Sequence, residues 1–115
     1  MHELSLMQGV TDIVKESAEQ NNICKISKVK LVVGKFSMAL PDSMQFAFEA
    51  IAASEPLLEG AVLEIDTRPI ICQCLECDSK TEIGDNYHFV CSGCGSAKVE
   101  IIQGRELYLD YYEGE

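Results

Sequence analysis

Four cysteines are spaced for metal chemistry. Cys74-Leu75-Glu76-Cys77 and Cys91-Ser92-Gly93-Cys94 are two Cys-x-x-Cys turns within one short stretch. Each such turn brings two sulfurs to one side of a tight loop, and the pair offers one tetrahedral ion four thiolates with no open position. Gly93 and Gly95 suit the sharp bends, because glycine tolerates the positive φ that lets backbone N–H groups point at sulfur. Four soft ligands favour zinc, with iron as the main competitor. Two disulfides or four buried thiols are the other readings of the same residues. A closed four-sulfur zinc site is usually structural, so this knot need not be where the protein acts.

Met1-His2-Glu3 is the second place able to hold a metal. The α-amine of Met1, the ring nitrogen of His2 and the amides of His2 and Glu3 form short chelate rings and a near-planar set of four nitrogens. Planar nitrogen-rich sites favour Ni(II) or Cu(II). The bulk of His2 should also discourage removal of Met1. The competing reading is a solvated histidine near a chain end.

The remaining candidates are weaker. Cys72 is surplus to a four-coordinate site; in extended chain it points the same way as Cys74, as a spare thiol or an exchanging ligand. A redox dithiol normally sits at a helix N-terminus in a βαβ unit, a context this segment lacks. His88 reads as a solvated hairpin residue rather than an extra donor, and Cys24 as a buried structural thiol. There is no glycine-rich phosphate loop and no nucleophile with an evident base, so no enzyme activity is expected.

Composition narrows the class. A chain of 115 residues supports one modest core plus a small appendage. The formal net charge of −10 weighs against nucleic acid, which needs a basic footprint. No apolar run approaches bilayer length and the first residues are not a secretory signal, so neither membrane insertion nor export is expected. The expected compartment is the cytoplasm, where six cysteines argue for metal ligation over disulfides.

The elements that must position these residues follow from periodicity. Leu4, Met7, Val10, Ile13, Val14 and Ala18 recur at helical spacing through about Gln20, and Asn21-Asn22 suits the helix end. Lys25 to Val33 alternates as a strand closed by Gly34. Pro41-Asp42-Ser43 opens a second helix, with Asp42 as cap and Gln45 completing a capping box. Its inward stripe is Met44, Ala47, Phe48 and Ile51. Pro56 and Gly60 end it. Ala61 to Thr67 is a second strand. Thr81 to Val90 suggests a hairpin about Gly84-Asp85-Asn86. Val99 to Ile102 and Glu106 to Tyr112 read as one strand with a bulge at Gly104. The predicted fold is α+β: two helices on a small sheet of about three strands, with a zinc-ribbon-like four-cysteine module inserted between two neighbouring strands. The expected organisation is residues 1–69 plus 98–115 as an α+β domain that carries the N-terminal metal candidate, and 70–97 as the inserted zinc-binding domain.

In order and spacing the chain resembles the HypA/HybF family of hydrogenase nickel-incorporation proteins. The matching pieces are Met1-His2-Glu3-Leu4-Ser5, Leu31-Val32-Val33-Gly34, Phe46-Ala47-Phe48-Glu49, Glu59-Gly60-Ala61, both Cys-x-x-Cys turns with Gly95-Ser96, and Gly104-Arg105-Glu106-Leu107. The extra Cys72 is similar to a variant within that family. The resemblance implies a nickel metallochaperone. His2 would be the essential nickel ligand, with the Met1 amine and the backbone of His2 and Glu3 beside it. Cys74, Cys77, Cys91 and Cys94 would hold structural zinc. Implied partners are a nickel-binding accessory GTPase, the large subunit of [NiFe]-hydrogenase and, in some members, urease maturation, with the chain a monomer or homodimer. Leu40 stands where some members carry an acidic residue near the nickel, and Asp42 lies two residues on. The alternatives are a zinc-ribbon module that contacts protein or nucleic acid, and an iron site for electron transfer.

Overall fold

The computed structural model describes residues 2–115, except for the side chain of His2. Met1 and that side chain, which carry two of the expected nickel ligands, the terminal amine and the imidazole, lie outside the described residues. The elements are α1 (His2–Gln20), β1 (Ile26–Gly34), α2 (Pro41–Ala52), β2 (Val62–Arg68), β3 (Ile70–Cys74), β4 (Lys80–Ile83), β5 (Val99–Gln103) and β6 (Leu107–Gly114). They form two sheets of three strands, in the orders β2-β1-β6 and β4-β3-β5. The chain divides into two compact units. One comprises the described part of Met1–Val32, with Ala39–Asp66 and Tyr108–Glu115; the other comprises Val33–Met38 and Thr67–Leu107.

In the first unit, α1 buries Met7, Thr11, Val14 and Ala18, spaced four, three and four residues apart. The stripe is narrower than the sequence suggests. Ile13 is 59% exposed, because it sits one helical step round from Val14. The buried Thr11 hydroxyl donates to the Gln8 carbonyl at 3.0 Å, so it can occupy a core position. The helix ends in a Schellman arrangement. Asn22 is left-handed (φ 57°), the Ile23 N–H reaches the Ala18 carbonyl at 2.8 Å, and the Asn22 N–H reaches that of Glu19 at 3.4 Å.

β1 is the central strand, and Ile26, Val29, Leu31, Val32 and Val33 are all buried along it. Lys28 and Lys30 both meet the Glu64 carboxylate of β2, at 2.8 and 3.3 Å, and lie over the Tyr111 ring of β6. These contacts join all three strands through side chains. The Tyr112 hydroxyl meets that of Ser17 at 2.6 Å and ties β6 to α1.

α2 starts differently from the expected capping box. Leu40 is the residue at the cap, Pro41 fills the first helical position, and Asp42 lies in the first turn without capping. Gln45 turns away to donate to the Leu63 carbonyl at 2.7 Å. Met44, Ala47 and Phe48 form the buried face, as the spacing requires.

In the second unit β3 pairs antiparallel with β4 and with β5. Ile70, Cys72 and Ile83 form its core, with Phe36, Phe89, Val99 and Ile101 packed against them. Phe36 makes an edge-to-face contact with Phe89 (6.1 Å between centroids), and the Arg105 guanidinium lies over its ring.

Three strand expectations change. The residues after β4 form turns instead of a returning strand, because β4 already pairs with β3. Val99–Gln103 and Leu107–Gly114 belong to different sheets. The break is Gly104, at φ +122° with the Ile70 Cα 2.9 Å from where a Cβ would stand. β2 and β6 are also not neighbours: β1 separates them, so the insertion joins the two edge strands.

Two glycines should respond oppositely to alanine. Gly104→Ala combines a positive φ with a backbone clash and should lower unfolding free energy by about 2–3 kcal/mol. Gly9→Ala, on the surface of α1 with nothing within 4 Å, should raise it by about 0.5–1 kcal/mol. Urea unfolding followed by circular dichroism reads both.

Candidate metal centre

The two Cys-x-x-Cys turns are built alike. Cys74 is the last residue of β3, and its N–H donates to the Ser79 carbonyl at 2.9 Å; the Cys91 N–H donates to the Ser96 carbonyl at 2.8 Å. The Asp78 N–H returns to the Cys74 carbonyl at 3.1 Å, and the Gly95 N–H to that of Cys91 at 2.9 Å. Both Asp78 (φ 62°) and Gly95 (φ 76°) are left-handed. The sequence reading missed the roles of Asp78, Ser79 and Ser96. The signal was present as a repeat, Cys77-Asp78-Ser79 against Cys94-Gly95-Ser96, with aspartate where the second turn has glycine. No positive φ is found at Gly93, which instead donates its N–H to the Cys91 sulfur at 3.3 Å.

The four sulfurs of Cys74, Cys77, Cys91 and Cys94 lie within 4.8 Å of one another. Cys74 and Cys94 are 3.7 Å apart, Cys77 and Cys91 3.5 Å. A tetrahedral ion with sulfur bonds of about 2.3 Å sets its ligands about 3.8 Å apart, so the donor set fits such an ion. Cys74 and Cys91 are buried, Cys77 and Cys94 exposed. N–H groups of Glu76 and Cys77 aim at the Cys74 sulfur, both at 3.4 Å.

The local fields separate the four thiols. The Ser79 hydroxyl, then its N–H and the Cys91 thiol, pull Cys77 down to about 6. N–H groups of Cys94 and Gly93 lower Cys91. The Ser96 N–H pulls Cys94 down as well, but hydrogen bonds to Cys74 and Cys77, with burial, outweigh it and push Cys94 up to about 12. Binding of an ion by four thiolates therefore releases protons from the cluster.

Other candidates fall outside this cluster. Among the described residues no other group of three or more His, Cys, Asp or Glu side chains is close enough to share an ion. Cys72 is fully buried beside Ile70 and Ile83, and burial raises its thiol. His88 is exposed. Cys24, expected in the core, is also exposed, because only its backbone is held there, by the Glu115 carbonyl at 2.8 Å. At the other end of the chain, the Glu3 carboxylate accepts the Leu40 N–H at 3.3 Å. Of the expected nickel-binding residues, the structure thus describes Glu3, whose carboxylate is held at the start of α2.

Comparison with known proteins covers the whole chain. Residues 1–114 match the model of the family described as hydrogenase/urease nickel incorporation, metallochaperone, HypA. A hydrogenase maturation factor HypA from Moorella thermoacetica is 38% identical over 115 residues, with all of both chains covered. A hydrogenase maturation factor HybF from Klebsiella pneumoniae is 35% identical, also with both chains fully covered. The solution structure of the Ni metallochaperone HypA from Helicobacter pylori is 27% identical, with a TM-score of 0.66 over 99% of this chain and 97% of that one. No described helix is long and apolar enough to cross a membrane.

Two substitutions separate ligand from core. Cys91→Ser should lose the bound ion on dialysis against a weak chelator. Cys72→Ala should keep one ion per chain and lower stability by about 1–2 kcal/mol through lost core volume. Metal analysis with thermal unfolding of both variants checks this. Retention of the ion should also fail as pH falls, since every ligand must be a thiolate.

Proposed function

The chain belongs to the HypA family of hydrogenase and urease nickel-incorporation metallochaperones, and from that membership we propose that it carries Ni(II) on its first residues. The observation that carries the reading is the family match, which runs from residue 1 and so takes in Met1-His2-Glu3. The four-cysteine cluster is the structural metal site, and in our reading its ion is zinc, held by Cys74, Cys77, Cys91 and Cys94. Four thiolates complete that ion's coordination, leaving no vacancy for cargo. The nickel is therefore assigned to the Met1 amine, the His2 imidazole and the amide nitrogens of His2 and Glu3. The bond from the Leu40 N–H to Glu3 supports this assignment, because it fixes the third residue of the terminus against folded chain.

In this reading residues 1–69 with the C-terminal strand β6 carry the nickel, and residues 70–97 with β5, which pairs with β3, hold the zinc. The protein works in the cytoplasm, as a monomer or homodimer, without catalysing a reaction. It receives Ni(II), exchanges it with a nickel-binding accessory GTPase, and delivers it toward the large subunit of [NiFe]-hydrogenase, with urease as a further destination. Transfer proceeds by ligand exchange. An incoming donor displaces the terminal amine or imidazole, and each released amide nitrogen regains a proton. Nickel binding should therefore weaken as pH falls.

Calorimetric titration with Ni(II) tests the assignment. His2→Ala and a form with an N-terminal tag should each lose nickel binding while retaining the ion of the four cysteines. Unchanged nickel affinity in either would overturn it.

A further inference from the structure

One surface of the first unit is apolar without a covering element. Phe46, on the outer side of α2, is 74% exposed, and Leu4 of α1 is 47% exposed. The two line one groove with Asp42, Ser43, Ala47 and Ala50, of about 350 Å³. Leu40, 59% exposed, stands at the head of α2, where its N–H meets Glu3. Exposed apolar residues scattered singly need no explanation, but a groove floored by alanine and walled by Leu4 and Phe46 has the form that receives a helix side chain.

Among the described residues, the charged side chains named beside the groove are acidic. Asp42 lies in its wall, Glu3 adjoins Leu4, and Glu49 sits one turn along α2 from Phe46. The lysine nearest along the same pair of helices, Lys15, is neutralised by Glu55 at 2.8 Å. A second copy of the chain would bring another formal charge of −10 and an identical acidic rim, so self-association is electrostatically opposed.

We propose that this groove docks an amphipathic helix of a partner protein, one that inserts an apolar side chain between Leu4 and Phe46 and surrounds it with Lys or Arg. Because Leu4 follows the first three residues directly, such docking brings the partner's own ligands to the nickel-bearing terminus. The partner's role as nickel donor or acceptor rests on the carrier reading above; the groove and its preference for a basic rim do not.

The probes are two labelled amphipathic peptides of about five helical turns with the same Leu/Phe stripe, one flanked by Lys and Arg, the other by Glu. Fluorescence anisotropy against the full chain should show the basic peptide binding about tenfold tighter or more, weakening with added salt. Phe46→Glu should remove that binding, and Phe46→Ala should weaken it. Neither change should alter thermal unfolding or Ni(II) binding, since Phe46 contributes little to the core. Equal binding of the two peptides, or binding indifferent to Phe46, would overturn the proposal. So would concentration-dependent dimerisation that Phe46→Glu abolishes, which would make a second copy the occupant. If Ni(II) fails to bind the wild-type chain while the Phe46-dependent preference persists, the carrier reading fails and the docking surface stands.

Discussion

Four thiols held within 4.8 Å of one another cannot all ionise unless a cation stands among them. The local fields already divide the thiols into one lowered to about 6 and one raised to about 12. An ion resolves that conflict and joins two segments otherwise linked by few bonds, among them the Leu75 N–H to the Lys98 carbonyl at 2.8 Å and the Ser92 N–H to the Thr81 hydroxyl at 3.0 Å. The second unit depends on it, because its apolar core consists of three buried residues and four half-buried ones around β3. A core of that size stabilises a fold weakly, and a structural metal is the usual supplement.

β3 shows how one local rule serves both purposes. Its period of two turns Ile70, Cys72 and Cys74 to the same side, all buried. Cys72 falls among the apolar side chains, and Cys74, at the strand end, falls into the sulfur cluster. The positions are equivalent in direction and differ only in how far along the strand they lie. The first unit is organised otherwise, through the buried central strand β1 and two helices. There the Glu3 carboxylate meets the Leu40 N–H, so the beginning of α1 is joined to the beginning of α2. In the proposed reading the structural ion and the cargo would have donor sets of different character, one of four thiolates, the other of nitrogens.

Much of this was legible in the sequence wherever a local pattern decides the outcome. The Cys-x-x-Cys spacing gives the sulfur cluster, Asn21-Asn22 gives the end of α1, and alternation gives β1, β2 and most of β6. What was not legible depends on partners distant in sequence. Val99 to Tyr112 alternates almost without interruption, yet Gly104 divides it between two sheets, because β5 pairs with β3 and β6 with β1. Ile13 and Cys24 are apolar by type but exposed, since which side of an element faces the core is set by tertiary packing. Asp42 has the residue type of a cap but sits beyond Pro41, which takes the first helical position. At the proposed nickel-binding terminus the sequence motif is short, and its weight comes from the rest of the family pattern.

The central claim is that the protein holds two metals at once, in two chemically distinct sites. The direct measurement takes protein with a free Met1 amine and its four-cysteine site filled, adds Ni(II), and counts both metals in the same sample. The account predicts one nickel bound per chain with the first ion retained in full. Nickel that enters only as the first ion leaves would place the cargo on the cysteines and contradict it.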